Sequence, residues 1–312
     1  MIYVEMNGRT GNQLFDYSFA RRLSVLLDDK MVLNFQHVIK HAAADPSWRN
    51  ELETFQVASF EIENQEKSLI YTHGNILQII FYVVFLLISK IPYKSRSDLF
   101  KRQERFQPFL NRWGIFFLEH GYSEIVMPKT KNVFVNGTYE DPRWIDDIRD
   151  ILIKEIVPKE YDHDNDEIIA KMQNSNSVSV SVRRGDFLAK ENADIRNICN
   201  LEYYKKAFAL VKKEVKNPVF FFFSDDIEWV KKNLPVDAEA YYESGTDTVA
   251  NTLYKMSFCK NFILANSTFS WWGEYLSKTH NEKHLVIAPD HWMNIPGYTH
   301  QLINKKWMLI EC

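Results

Sequence analysis

The second half of the chain alternates short apolar strands with amphipathic helices, and this order constrains the fold more than any other feature. Strands are predicted at 178–182, Val219–Phe223, Asn261–Ala265 and Leu285–Ala288, and helices near 201–216, 226–234, 247–258 and 270–278. Strict alternation of this kind is typical of a doubly wound α/β domain with a parallel sheet. We therefore predict one such domain in the second half.

The first half begins in the same way, with a strand predicted at Ile2–Met6, a helix from about Gln13 to Leu27 and a strand at Met31–Phe35. A polar, Pro-containing stretch at Val157–Glu167 is the best candidate for a linker. A chain of 312 residues is long enough for two such units. We predict an N-terminal domain at 1–160 and a C-terminal domain at 161–312.

An apolar segment interrupts the first domain. Ile79–Ile88 reads IIFYVVFLLI, which is too short for a membrane-spanning helix of about 20 residues. The residues after it are mostly basic: Lys90, Lys94, Arg96, Lys101, Arg102, Arg105 and Arg112, against Asp98 and Glu104. We interpret about 75–115 as a helical insertion, a core helix followed by a solvated one. Peripheral contact with the inner membrane surface is the second interpretation.

Composition excludes several classes of protein. The net charge of −3 gives no global basic field, so we expect no nucleic-acid partner. Cys199, Cys259 and Cys312 form no CxxC pair, which favours a reducing compartment over a disulfide framework. The opening MIYVEMNGR lacks the features of a signal peptide, and the nine histidines show no metal-binding spacing. We expect a cytoplasmic protein, membrane-associated under the second interpretation above, without a metal.

The segment VSVSVRRGDF is the strongest candidate for a binding site. Its alternating Val and Ser at 178–182 predict a strand with one face buried, and Arg183, Arg184, Gly185 and Asp186 follow directly. Ligands of open α/β sheets bind just beyond the carboxyl ends of the strands, and guanidinium groups there suit a phosphate or diphosphate. The alternative is a surface turn in which Asp186 pairs with one of the arginines.

The next strand, in FFFFSDDIEW, also ends in polar groups, namely Ser224, Asp225 and Asp226. A carboxylate at this position can accept hydrogen bonds from a guanine edge or from ribose hydroxyls. The alternative is that Ser224 or Asp225 caps the helix that follows, although capping and binding are compatible.

Two further segments have weaker signals. In the first, NFILANSTFSWWGEYLS, a helix is predicted to begin just after a strand. The backbone N–H groups at its start can bind an anion together with four polar side chains: Asn266, Ser267, Thr268 and Ser270. The tryptophans after them are expected in the core. GRTGNQ, which follows the first strand, lacks the nucleotide-binding glycine patterns and could bring Asn12 toward a ligand.

With these segments in hand, the chain resembles glycosyltransferase family 11, the bacterial α-1,2-fucosyltransferases. The resemblance is carried, in order, by GRTGNQLFDY, VSVSVRRGDF, FFFFSDDIEWVKKNL and LYKMSFCKNFILANSTFSWWGEYLS. It implies a GT-B fold, two Rossmann-like domains that face a cleft, with the acceptor on the N-terminal domain. It implies transfer of L-fucose from GDP-β-L-fucose to the 2-OH of a galactose-terminated glycan in surface polysaccharide or oligosaccharide synthesis, with inversion and without metal or cofactor.

The resemblance also implies roles for individual residues. Arg183 would hold the β-phosphate, and Arg184 would orient the loop or contact the donor. Either Asp225 or Asp226 would read guanine or ribose. The remaining donor contacts would come from Asn12, Asn266, Ser267, Thr268 and Ser270. Asp186 is our candidate for the general base, with a structural partner of the arginines as its alternative.

The sequence departs from the family pattern HxRRGDY at two positions, with Ser181 in place of histidine and Phe187 in place of tyrosine. Serine cannot supply the charge or the reach of imidazole. Either the histidine is not essential to the chemistry, or this enzyme uses a variant donor or acceptor. The rival hypotheses are therefore a GT-B enzyme with another nucleotide sugar and a non-catalytic nucleotide- or sugar-binding protein. Glu274 also stands where a small residue is usual.

Overall fold

The computed structural model describes residues 1–190, 192–280, 282–295 and 300–312. The chain divides into two compact units, Met1–Glu155 and Ile156–Cys312. The division lies just before the predicted linker Val157–Glu167, whose last two residues already belong to a helix.

The first unit is a five-stranded sheet, entirely parallel, in the order β3-β2-β1-β5-β4. Its elements are β1 (Ile2–Glu5), α1 (Thr10–Leu27), β2 (Met31–Asn34), α2 (Gln36–Ala42), β3 (Phe60–Ile62), α3 (Ile70–His73), α4 (Ile76–Ser89), α5 (Arg96–Arg112), β4 (Ile115–Leu118), β5 (Val133–Gly137) and α6 (Arg149–Glu155). The predicted strands at Ile2 and Met31 and the helix between them are present. The last helix of this unit is preceded by short 3-10 turns, and the chain becomes α-helical only at Arg149.

Helices α4 and α5 form the insertion predicted at about 75–115, which we name the α4–α5 hairpin (Ile76–Arg112). Both helices begin with a capping box, Asn75 with Gln78 and Ser95 with Asp98. The prediction of a core helix is right for one face of α4 only, since Gln78, Tyr82 and Phe85 are its buried residues. In the described residues, no helix combines the length and the apolar character needed to cross a membrane.

The described part of the second unit also contains an all-parallel sheet, in the order β11-β10-β9-β6-β7-β8. Its elements are α7 (Asp166–Asn174), β6 (Asn176–Val182), α8 (Ala193–Arg196), α9 (Leu201–Glu214), β7 (Pro218–Ser224), α10 (Ile227–Asn233), β8 (Ala240–Tyr242), α11 (Val249–Met256), β9 (Asn261–Ile263), α12 (Thr268–Tyr275), β10 (Val286–Pro289) and β11 (Met308–Ile310). Two parallel α/β units confirm the predicted fold class, with two Rossmann-like domains.

The central strand β6 corrects one prediction. Its valines lie in the core with the residues of α9, as expected from the alternation. Its serines are buried as well, with Ser179 at 1% and Ser181 at 6% exposure, so both faces of the strand are covered. Parallel sheets carry helices on both faces, and the register sets Ser179 and Ser181 beside Phe221 and Phe223 of β7. Alternation therefore marks two different cores here, rather than core and solvent.

Candidate functional site

The register of β6 and β7 brings the two charged motifs side by side. Val182 is paired with Ser224, and both strands run in the same direction. Arg183 and Arg184 therefore leave β6 at the same edge at which Asp225 and Asp226 leave β7. The structure thus joins two sequence motifs that lie about 40 residues apart in the chain.

Arg183 lies between two carboxylates. Its Nη2 atom is 2.5 Å from Asp186 Oδ1, and its Nη1 atom is 2.8 Å from Asp225 Oδ2. The Arg183 side chain is still 26% exposed, so a ligand can reach it. Asp186 is thus the ion-pair partner of Arg183, as the alternative interpretation of this motif had it. Its role as general base stays a prediction.

Arg184 is held on two sides. Its Nε donates to Asp226 Oδ2 at 3.0 Å, and its guanidinium carbon lies 3.6 Å from the ring centre of Trp229. Its backbone N–H donates to Asp225 Oδ1 at 2.9 Å. Stacking on an aromatic face together with a carboxylate contact restricts a guanidinium far more than either contact alone. Trp229 was missed by the sequence analysis.

The same carboxylate starts α10. Asp226 is its N-cap residue, because Oδ1 accepts from the backbone N–H of Trp229 at 3.2 Å. The prediction that Ser224 or Asp225 caps this helix is therefore wrong. The helix begins later in the chain, and Asp226 is its N-cap residue. Ser224 instead accepts from the N–H of Asp226 at 3.0 Å. Asp226 therefore couples the start of α10 to the position of Arg184.

Gly185 permits the close approach of the two loops. A Cβ atom placed on it would lie 2.7 Å from Asp225 Oδ2, nearer than Cβ atoms normally come to another heavy atom. The contact is with the same oxygen that binds Arg183. A larger residue at position 185 therefore requires the Asp225 side chain to shift.

The start of α12 follows β9, the strand on the other side of β6. Asn266 is buried, and its amide donates to the carbonyls of Arg196 and Trp292 at 2.9 and 3.1 Å. Ser270 is buried and lies 2.8 Å from the carbonyls of both Ala265 and Ser267. These two side chains thus shape the loop from inside.

The other two predicted residues of this loop, Ser267 and Thr268, are partly exposed. Ser267 is the N-cap residue of α12, and within the described residues its hydroxyl makes no capping hydrogen bond. Of the four predicted residues, these two are the ones that a ligand can reach from solvent.

Two buried tyrosines of α9 hold the strand ends in place. Tyr204 donates to the carbonyl of Ser181 at 2.9 Å, and Tyr203 donates to that of Leu264 at 2.5 Å. Burial raises the pKa of both phenols well above the usual range, so both stay protonated donors. The sequence signal was present in the pair YY on the apolar face of a helix, but its polar function was missed.

Arg196 is a further cation near this edge that the sequence analysis missed. Its guanidinium carbon lies 5.7 Å from the ring centre of Phe187, and that of Arg183 lies 5.6 Å from the same ring. Arg196 is exposed, and in the described residues it forms no ion pair with a carboxylate. No motif marked it, because it stands alone in the short helix α8.

A buried ionic cluster follows β8, the strand next to β7. The Lys255 ammonium lies 2.7 Å from Glu243 Oε2 and also contacts Asp247, and all three side chains are 6 to 7% exposed. A buried ion pair of this kind needs such close partners to offset its loss of hydration. The cluster fixes the loop between β8 and α11. Its residues are too far apart in sequence to be recognised as a unit.

A second buried ionic cluster is centred on Glu274, in the body of α12. Glu274 Oε1 is 3.0 Å from His280 Nδ1 and 3.1 Å from His284 Nε2. Burial alone would raise the pKa of Glu274, but the hydrogen bonds from the two imidazoles outweigh it and lower this pKa. The hydrogen bond with Glu274 in turn raises the pKa of His284. This cluster explains how the helix accommodates a charge at a position where a small residue was expected.

Asn12 belongs to the first unit, where it stands in the first turn of α1. Its Nδ2 donates to Glu140 Oε1, just beyond β5, at 2.8 Å. Gly8 before it has a φ of +69°, and a Cβ there would lie 2.6 Å from the Cβ of Asn12. This glycine therefore both allows the turn and makes room for Asn12. The contact of Asn12 with a donor stays a prediction.

Comparison with known proteins assigns the family. The model of glycosyl transferase family 11 matches residues 1–311. The chain is 27% identical over 305 residues to the O-antigen biosynthesis glycosyltransferase WbnK of Escherichia coli, covering 93% of this chain and 94% of that protein. It is 32% identical over 187 residues to an alpha-1,2-colitosyltransferase of Escherichia coli, covering 56% of this chain and 61% of that protein.

Among solved structures, the fucosyltransferase NodZ from Bradyrhizobium is similar, with 12% identity and a TM-score of 0.49 over 88% of this chain and 92% of that chain. The match of the family model spans nearly the whole sequence and confirms the resemblance that its motifs carry. The chain belongs to glycosyl transferase family 11, and it is a glycosyltransferase.

Proposed function

We propose that this enzyme transfers L-fucose from GDP-β-L-fucose to the 2-OH of a β-galactoside, with inversion, in the cytoplasmic synthesis of a surface polysaccharide or oligosaccharide. The observation that carries the proposal is the arginine pair at the carboxyl edge of the second sheet. Arg183 stays reachable from solvent while two carboxylates fix its direction. A guanidinium fixed in this way suits the diphosphate of a nucleotide sugar.

The proposed reaction needs a fixed positive charge beside the departing nucleotide. Cleavage of the sugar–phosphate bond leaves negative charge on the departing nucleotide and an oxocarbenium-like sugar. Preorganised cations stabilise that charge without reorganisation, so the arginines can do what a metal ion does in other transferases. We therefore propose a reaction without a metal or another cofactor.

Arg183 has two carboxylate partners, and the donor would replace one of them. We propose that the β-phosphate takes the place of Asp186 on Nη2, while Asp225 keeps Nη1 and the orientation of the guanidinium. The freed Asp186 carboxylate can then accept the proton of the acceptor hydroxyl as that oxygen attacks the fucose carbon. Asp186 would thus be the ion-pair partner of Arg183 before the donor binds and the general base afterwards.

The remaining donor contacts follow from exposure. Asp226 is 42% exposed, and each carboxylate oxygen can accept a second hydrogen bond, which favours Asp226 over Asp225 for guanine or ribose. Ser267 and Thr268 at the start of α12 would bind phosphate or ribose together with the backbone N–H groups of the helix. Asn12 would contact the sugar-phosphate from the first unit, which would also hold the acceptor.

A second donor is supported by a relative. The partial match to an alpha-1,2-colitosyltransferase, together with Ser181 in place of the family histidine, favours a nucleotide sugar other than GDP-fucose as the second candidate. Ser181→His discriminates between the two. A large gain of turnover with GDP-fucose would mean that the wild-type site is adapted to another sugar.

The experiment is a transfer assay with GDP-fucose and either lactose or a β-1,3-galactosyl acceptor, in the presence of a metal chelator. We expect release of GDP and a fucosylated product whose linkage and anomeric configuration NMR assigns. Arg183→Ala should lose both turnover and GDP binding. GDP binding without transfer across a broad acceptor panel would indicate a binding protein instead. Absence of both GDP binding and transfer would contradict the proposal, and competition with UDP would then test another nucleotide.

A further inference from the structure

Helix α4 exposes a continuous apolar face. Its buried residues Tyr82 and Phe85 pack into the core of the first unit. The opposite side carries an apolar stripe, five aliphatic residues at helical spacing: Ile76, Ile80, Val83, Val84 and Leu87, which are 73, 48, 37, 45 and 61% exposed. These positions follow one another on one helix face. Contiguous apolar surface of this kind marks an interaction site.

The stripe continues into the tip of the hairpin, Lys90–Lys94. Ile91 and Tyr93 are 51 and 46% exposed there, between the two terminal lysines. The tip has a defined conformation, because Arg102 of α5 donates to the carbonyls of Ile88 and Ile91 at 3.1 and 2.8 Å. Arg102 thus fixes the backbone of the tip, on which Ile91 and Tyr93 are exposed.

The same hairpin carries many exposed cations. Six exposed side chains on the tip and on α5 are basic: Lys90, Lys94, Arg96, Lys101, Arg105 and Arg112. Within the described residues none of the six forms an ion pair with a carboxylate. The hairpin holds seven basic residues against Asp98 and Glu104, whereas the whole chain has a net charge of −3, so the excess of positive charge is local. It is complementary to an anionic surface.

The dimensions exclude a spanning helix. The 14 residues of α4 extend about 21 Å, against a hydrocarbon thickness of about 30 Å. A helix with one apolar face and cations at its border lies in the plane of the interface instead. Pairing with a second copy of the chain through this face would bring the cations of both copies close together, which like-charge repulsion disfavours.

We propose that the α4–α5 hairpin docks on an anionic phospholipid bilayer. The apolar stripe, with Ile91 and Tyr93, enters the boundary between headgroups and acyl chains, and the six cations contact the anionic headgroups. The contact is peripheral and reversible, because it combines one helix face with electrostatic attraction. It uses residues distant in sequence from the proposed donor site and does not depend on the identity of the donor.

The test is sedimentation of the purified protein with vesicles of phosphatidylcholine that contain one third phosphatidylglycerol. We expect binding at about 0.05 M salt, and at least tenfold weaker binding at about 0.5 M, where the Debye length has fallen to a few ångströms. Pure phosphatidylcholine vesicles should bind at least tenfold more weakly than the anionic ones.

Two double variants separate the contributions. Lys94→Ser with Lys101→Ser should weaken binding about fivefold for each cation removed. Val84→Asn with Leu87→Asn should weaken it about tenfold or more, because both side chains would otherwise leave water. The matched controls are Lys205→Ser with Lys232→Ser, which removes two exposed lysines of the second unit, and Leu26→Asn on an exposed position of α1. Both controls should bind as the wild type does, and circular dichroism should show that every variant is folded.

Three results would overturn the proposal. The first is absence of sedimentation with the anionic vesicles at low salt. The second is binding to neutral vesicles as strong as binding to anionic ones, with no change in either double variant. The third is a concentration-dependent dimer in analytical ultracentrifugation that Leu87→Asn abolishes while vesicle binding is absent, which would assign the stripe to a second copy of the chain.

Discussion

The carboxyl edge of the second sheet and the α4–α5 hairpin both carry several basic side chains. They differ in whether these cations contact carboxylates. At the sheet edge Arg183 and Arg184 each contact a carboxylate within 3.0 Å, and Arg184 is stacked on a tryptophan as well. On the hairpin, six cations project from the surface without an ion-pair partner in the described residues. One region holds its cations in fixed directions, and the other leaves them free to follow a surface.

This difference indicates how each region works. A cation that must stabilise a developing charge has to be in place before the reaction, and carboxylate partners keep it there. A cation that attracts an anionic surface needs only to be near it, and its contribution falls with salt. Substitutions at the sheet edge should therefore act through geometry, while those on the hairpin should act one charge at a time.

The largest effect is expected for Arg183. Arg183→Ala should lower kcat/KM for transfer about 10³-fold, because it removes the guanidinium from the diphosphate and leaves two carboxylates unpaired beside it. Arg183→Lys keeps the charge but not the two-pronged geometry, so it should recover only a small part of the activity. Steady-state kinetics measures both. Activity near the wild-type level in Arg183→Ala would place the catalytic cation elsewhere.

Gly185→Ala should come next. The added Cβ would lie 2.7 Å from Asp225 Oδ2, so the Asp225 side chain must shift, which disturbs the oxygen that contacts Arg183. We expect GDP affinity to fall about tenfold to a hundredfold, which is the cost of misplacing a group by about 1 Å. Isothermal calorimetry measures it. Leu188→Ala, a change at an exposed neighbouring position, is the control and should bind GDP normally.

Asp226 both positions Arg184 and stabilises the start of α10. Asp226→Ala removes the N-cap of α10 and the partner of Arg184, and it should lower the free energy of unfolding by about 1 kcal/mol. Asp226→Asn keeps a capping oxygen but loses the charge, so it should restore most of the stability and little of the GDP affinity. Urea denaturation and calorimetry together test this. Equal loss of both quantities in the two variants would mean that the charge of Asp226 matters and its capping oxygen does not.

The sequence predicted the sheet edge better than the contacts within it. Period-two alternation located β6 and the apolar run located β7, because both patterns depend on neighbours along the chain. The pairing of Arg183 with Asp225 depends on strand register and on the absence of a side chain at Gly185, and neither is a local property. The same holds for Tyr203, Tyr204 and the cluster around Lys255, where polar contacts join residues distant in sequence.

The hairpin shows the reverse. Its apolar and basic composition was evident in the sequence, but the prediction of a core helix assigned both faces of α4 to the interior. A run of apolar residues has no periodicity that would separate a buried face from an exposed one. The structure separates them, since Tyr82 and Phe85 are buried and Leu87 is exposed.

A smaller effect is expected from the hydrogen-bonded pair of Glu274, in α12, and His284. The hydrogen bond with Glu274 raises the pKa of His284, so the stability from this pair is fully present below the ordinary histidine value of about 6.5. It is lost as the pH rises through the raised pKa of the folded protein. Glu274→Gln should therefore lower the melting temperature most near pH 6, and progressively less as the pH rises through the raised pKa of His284. A difference that does not change with pH would contradict the assignment.

The smallest effect is expected for the cations of the hairpin on the free protein. Lys94 and Lys101 are exposed and have no ion-pair partner in the described residues, so replacing both with serine removes no contact that supports the fold. The free energy of unfolding should stay within about 0.5 kcal/mol of the wild type. Turnover with a soluble acceptor should also be unchanged, because these residues lie outside the proposed donor site. Thermal denaturation and the transfer assay measure the two quantities. A clear loss of stability would show that these charges are held in place as those of the sheet edge are, and the contrast between the two regions would not hold.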